Sequence, residues 1–245
     1  MSNVAAAAIA AATSLLVSIL TLLLGNRQQR RRDEENERRQ INSRYVNPLR
    51  LHLVENHYRL SSTLARVDDD GRCEEMLVLD TPASVSAKDA EWYNGHGCAL
   101  LSSVYLTAGL FAQLMRVKED FPYLRLSRQD DTTLAGLLMR VQLGYLENLG
   151  VYYVTQPSIG ESVWDRQAGR VITYREFCER LRDPEWRVWF DKLISFHLDI
   201  ARGERRDNAD HILSAITTLS DFLDARIGGG HSIGSRWEAE ATTFT

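Results

Sequence analysis

The feature that most constrains this chain is an uncharged run from Val4 to Leu24, rich in Ala and Leu and closed by Gly25-Asn26. At 1.5 Å rise per residue, about 20 apolar residues in a helix span a hydrocarbon core of roughly 30 Å. The run predicts a retained transmembrane anchor over residues 1–26. A secretory signal would carry a basic segment before its apolar core and a small-residue cleavage site after it. Neither pattern is present around this run. Arg27, Arg30, Arg31 and Arg32 follow at once, so the positive-inside rule puts the C-terminal side in the cytoplasm and the N-terminus outside the cell membrane. The chain is read as single-pass, and membrane lipids are its first expected partner. These four arginines are the candidate contacts for anionic headgroups, each contributing about 1 kcal/mol near the surface.

Within the anchor, Ala6, Ala10, Ser14 and Ser18 recur every four positions. Small residues at that spacing let helix backbones approach, so this face is the candidate surface for a homo-oligomer. From residue 27 to 46 apolar side chains nearly vanish, Gly and Pro are absent, and Glu34 with Arg38 and Glu35 with Arg39 form i,i+4 pairs. That composition predicts a charged helical stalk. Acidic residues interleave with the basic ones and the net charge is −4, so no nucleic-acid partner is expected.

Residues 47–227 read as an all-α cytoplasmic bundle. Asn47-Pro48 is a helix-start signal, and Leu49, Leu53, Leu60 and Leu64 share a face with His52 and Asn56. A buried His and Asn need partners, which predicts a polar contact inside the core. Asp68-Asp69-Asp70-Gly71 lacks the ligand register of an EF-hand and reads as a solvated turn. The run from Cys98 to Val117 is long and uncharged for most of its length, but Ser102, Ser103, Thr107 and Gln113 interrupt it. It is expected to be the buried central helix, with a second membrane span as the alternative. Leu134, Leu137, Leu138, Val141 and Tyr145 mark the next helix. Thr173 and Glu176 form a capping box, and Asp183-Pro184 opens a helix whose Trp186, Trp189, Phe190, Phe196 and His197 read as an aromatic core stripe. Ile212, Ile216, Leu219 and Leu223 line a last helix, and residues 228–245 read as a flexible tail.

Chemistry is sparse. The three cysteines, Cys73, Cys98 and Cys178, are too far apart for a zinc motif, and no Walker, Gly-x-Ser-x-Gly or His-Glu-x-x-His sequence occurs, so neither metal nor cofactor is expected. Gly95-His96-Gly97 stands at a helix entrance, where a histidine between glycines reads as a turn or as a group able to reach a ligand. The most site-like stretch is the Gln156-Pro157 turn leading to Gly160 and Glu161, which with Arg140 makes a candidate polar site or, on the structural reading, a turn whose Glu161 pairs with that arginine. The N-terminal span, charged stalk, Asn-Pro-Leu helix start and Gln-x-x-Ile-Gly-Glu turn together resemble uncharacterised bacterial single-pass membrane-anchored helical proteins. That resemblance brings no activity, cofactor or catalytic residue with it. The expected role is a non-enzymatic protein-interaction or signalling module with an unknown protein partner. The alternatives are an enzyme with a site around Gln156 and Glu161, and a subunit of a membrane oligomer.

If residues 1–26 are an anchor, the full-length chain stays with vesicles through a carbonate wash and a chain lacking those residues is released. Release of the intact chain, shown by immunoblot of the supernatant, contradicts the anchor.

Overall fold

The computed structural model describes residues 25, 27–29, 32–33, 35–36, 39–119 and 128–227. It is mostly helical, as the periodicity predicts. The chain divides into two units, residues 1–44 and 45–245. The described stalk residues of the first, up to Ile41, are helical, and nearly all of them are exposed.

The second unit is built from α1 (Asn47–Ala65), α2 (Ala90–Asn94), α3 (Cys98–Glu119), α4 (Arg128–Leu146), α5 (Gln156–Ser162), α6 (Tyr174–Arg180), α7 (Pro184–Arg187), α8 (Asp191–Ala201) and α9 (Arg206–Ile227). α3 lies at the centre. α1, α5 and α8 all pack on it, and α9 packs on α1 and α4. Leu100, Leu101, Val104, Ala108, Leu110, Ala112 and Leu114 of α3 are fully buried. α3 is the one helix among the described residues long and apolar enough to cross a membrane, and most of it is covered by the other helices. Its apolar character therefore goes into the centre of the bundle.

Glycines set the helix spacing. A Cβ on Gly160 of α5 would stand 2.6 Å from the Ala112 backbone nitrogen and 2.8 Å from the Phe111 carbonyl carbon. Both are main-chain atoms of α3 and cannot swing aside. A Cβ on Gly144 of α4 would come within 2.7 Å of Ile212 on α9.

Several local expectations need correction. Asn47 does not cap α1: the chain enters through a π-helical turn, Asn42–Val46, so Val46 is already helical and no side chain caps it. Gln156–Ser162 is a helix with Pro157 in its first turn, not a turn. The capping box on α6 is present, with both Thr173 and Glu176 reciprocating. Asp183 caps α7 through the Glu185 amide, but α7 is a single turn followed by a 3-10 turn, Val188–Phe190, before α8. That interruption rotates Trp189 out of the aromatic stripe, leaving it 52% exposed. A two-residue hairpin, β1 (Trp164–Asp165) paired antiparallel with β2 (Arg170–Val171), interrupts the helices. It is fastened to α3 by Arg116, whose guanidinium lies 4.2 Å from the Trp164 ring centre.

Gly160→Ala should lower stability by about 2–3 kcal/mol through overpacking, a Tm drop of about 4–12 °C by calorimetry for a domain of this size. Gly136→Ala on α4, where nothing stands near the added Cβ, should instead stabilise by up to about 1 kcal/mol.

Candidate functional site

α1 and α3 run antiparallel and meet along a polar seam. His52, Asn56, Arg59 and Thr63 fall on one face of α1 at steps of three and four residues, the repeat of a helical stripe. Opposite them on α3 lie Gly109, Thr107, Ser103 and Ala99. The His52 ring fits against Gly109, where a Cβ would come within 2.7 Å of Cε1. Asn56 Nδ2 donates to the carbonyls of His52 at 2.8 Å and Leu106 at 2.9 Å. The Arg59 guanidinium donates to Ser103 Oγ at 2.9 Å through Nε and to the Ala99 carbonyl through Nη2. Thr63 Oγ1 donates to the Arg59 carbonyl at 2.9 Å.

Hydrogen-bond logic fixes the protons here. Because Asn56 Nδ2 faces two carbonyls, its Oδ1 must accept, and it does so from Thr107 Oγ1 at 3.1 Å. With its only hydrogen so placed, Thr107 Oγ1 must accept from His197 Nε2, 3.0 Å away. His197 of α8 is thus the neutral tautomer protonated on Nε2. Tyr145 of α4 also hydrogen-bonds Thr107, and burial raises its phenol pKa. Burial, helped by the nearby Arg59 charge, pushes His197 down to about 3. His52 falls to about 4 by burial alone. His52 is therefore uncharged at neutral pH, and its 3.5 Å approach to Glu55 is not an ion pair. Asn56, Arg59, Ser103, Thr107, Tyr145 and His197 surround an internal cavity of about 10 Å³. A space near one water molecule's worth admits no substrate, so the network's role is to fix helix register.

On the other side of Arg59 lies an open pocket of about 500 Å³, lined by Arg59, Glu74, Glu75, His96, Cys98 and Ser102 among others. His96 is exposed between two glycines. Gly97 is required there because a Cβ would strike the Trp92 ring at 2.5 Å. Of the acids at the rim, Glu75 pairs with Arg66 at 2.6 Å and Glu74 with Arg72 at 3.8 Å.

The structure does not bring together the polar site expected around Gln156. Gln156 is fully buried and donates through Nε2 to the carbonyls of Gln142 and Val151, both at 2.9 Å. Gly160 is pressed on α3, while Glu161 is exposed and pairs with Arg166, not Arg140. Arg140 is exposed on α4. Helix formation explains the separation, since it turns Gln156 and Gly160 inward and Glu161 outward. Arg27 and Arg32 are exposed in the first unit. Arg30, Arg31 and the small-residue face of Ala6, Ala10, Ser14 and Ser18 lie outside the described residues.

A third feature is apolar. Asn148 and Leu149 both have positive φ, 55° and 61°. Bulky residues rarely adopt this conformation because Cβ crowds the following carbonyl. Asn148 is held by a 3.1 Å bond to Asn208, which itself donates to the carbonyls of Gly144 and Glu147 at the end of α4. Gly150 follows because a Cβ there would fall on the Tyr145 carbonyl oxygen. The result puts Leu149 81% into solvent, beside exposed Tyr152, Tyr153 and Val154. This loop leads into α5, and the Val188–Phe190 turn carrying exposed Val188 and Trp189 packs on α5.

Sequence reasoning placed His52 and Asn56 in a core contact but missed Arg59, and it read Ser103 and Thr107 only as interruptions of an apolar run. The available signal was their i,i+4 spacing, which puts two hydroxyls on one face of the central helix.

Both buried histidines are neutral when folded, while the unfolded chain protonates them near pH 6.5. Stability is therefore full above that value and falls as pH drops toward 4, by up to about 1.4 kcal/mol per pH unit for each histidine. Urea unfolding at pH 5.0 should show a loss of about 2–4 kcal/mol relative to pH 7.5, and His197→Gln should remove roughly half of that loss.

No protein-family model, curated protein or solved structure matches this chain.

Proposed function

We propose that the protein is a membrane-anchored, non-enzymatic interaction module whose helical domain presents an apolar and aromatic surface to a protein partner on the cytoplasmic face. The observation that carries this reading is Leu149, held at positive φ with 81% of its surface in water. A strained backbone that exposes a large apolar side chain gains nothing inside its own domain, and such outliers concentrate where a residue serves something outside it. Trp189, Tyr152 and Tyr153 add the residue types that dominate protein interfaces. The domain interior supports the same reading: the polar groups around Thr107 are tied to one another about a cavity too small for a substrate, and Gln156 and Gly160 are buried away from exposed Glu161.

In this proposal the uncharged run before Gly25 holds the domain at the membrane, the arginines after it contact anionic headgroups, and the small-residue face allows self-association. The resemblance to bacterial single-pass proteins fits that arrangement.

The test is site-specific photo-crosslinking in native membranes from positions 153 and 189, with position 179 on α6 as the control. A discrete adduct from both loop positions and none from 179 is the expected result. Trp189→Ala should weaken the captured complex about 30-fold, the size of an interface hot spot. Equal labelling from all three positions contradicts the proposal.

A further inference from the structure

The open pocket beside α3 has its own chemistry, independent of the apolar loop. We infer that it binds the phosphate group of a small phosphorylated molecule through Arg59, Ser102 and His96.

Charge supplies the first argument. Glu74 and Glu75 at the rim are engaged by Arg72 and Arg66, whereas Arg59 forms no ion pair with a carboxylate among the described residues. Its Nε and Nη2 donors tie it to the side of α3, which immobilises the guanidinium, and its Nη1 group has no partner among those bonds while the residue lines the pocket. A positioned arginine without a counter-charge favours an anion over a neutral ligand, and its planar fork fits the oxygens of phosphate.

Geometry supplies the second. Arg59 stands at the pocket's inner wall, Ser102 on the first turns of α3 and His96 on the Gly95–Gly97 segment, so donors approach from three separate parts of the chain. Ser102 Oγ donates to the Ala99 carbonyl at a long 3.2 Å, and rotation about its C–O bond can redirect that hydrogen to a ligand oxygen. Donors from several directions suit a tetrahedral group better than a planar carboxylate. The Gly97 contact with Trp92 holds the backbone at His96 close to the α2 end, which keeps the imidazole at the rim. A volume of about 500 Å³ exceeds what bare phosphate fills and lies in the range of small-molecule sites. The ligand class is thus a phosphate monoester, free or as a lipid headgroup.

The experiment is isothermal titration of the full-length chain in non-ionic detergent with glycerol 3-phosphate, with glycerol as the neutral control. A parallel titration uses micelles doped with phosphatidate, which separates a free ester from a headgroup. Two variants are compared with wild type. Arg59→Gln removes the cation, and Ser102→Asp places a carboxylate in the pocket while leaving the Arg59 bonds to α3 in place. Thermal melts verify that each is folded. Saturable binding of either probe, weakened about tenfold or more in Ser102→Asp, supports the site. Binding of the phosphatidate micelles alone, lost in the same variant, identifies the headgroup as the source. Absence of saturable binding by both probes, or undiminished affinity in Ser102→Asp, overturns the inference.

Discussion

The polar seam between α1 and α3 is the contact on which the rest of the second unit depends. A helix apolar on nearly every side could slide or rotate against its neighbours with little change in buried area, since hydrophobic burial has no direction. Hydrogen bonds remove that freedom. Asn56 reads the Leu106 carbonyl and the Thr107 hydroxyl of α3 at once, so a shift of α3 by even one residue would leave both unpaired, each at a cost of about 1–3 kcal/mol. Arg59 repeats the constraint two turns from the start of α3 and His52 marks the opposite end against Gly109. Once this pair is in register, His197 and Tyr145 bring α8 and α4 to the same hydroxyl, and the bundle's order follows from one residue, Thr107.

Much of the fold was legible in the chain because helical periodicity survives translation into packing almost unchanged. The stripes beginning at Leu134 and Ile212 face inward, as do Leu49, Leu53 and Leu60, while Leu64 at the end of α1 is only partly covered. What escaped was decided by backbone geometry that residue type alone does not encode. Gln156-Pro157 looks like a turn because Pro157 and Gly160 bracket a short polar stretch, yet Gly160 allows the segment to lie flat on α3 and the contact stabilises a helix there. Trp189 reads as core by spacing, but the spacing holds only for an unbroken helix, and a 3-10 turn changes the angle per residue. The candidate pocket was invisible for a related reason. Its walls come from three separate places in the chain, and only His96 had a local pattern to draw notice.

The domain thus keeps two kinds of chemistry apart. Around Thr107, neutral polar groups are matched donor to acceptor and serve register. Outside, an arginine with spare donors and an apolar loop held at positive φ are left unmatched by the domain itself. The first set explains why the bundle has one arrangement. The two proposed binding surfaces rest on the second set.

The left-handed leucine carries a further implication. Glycine or asparagine at position 149 would relieve the backbone and remove an oily group from water in a single substitution. As far as the fold alone is concerned, a bulky apolar side chain at that dihedral is therefore the costlier of the available choices.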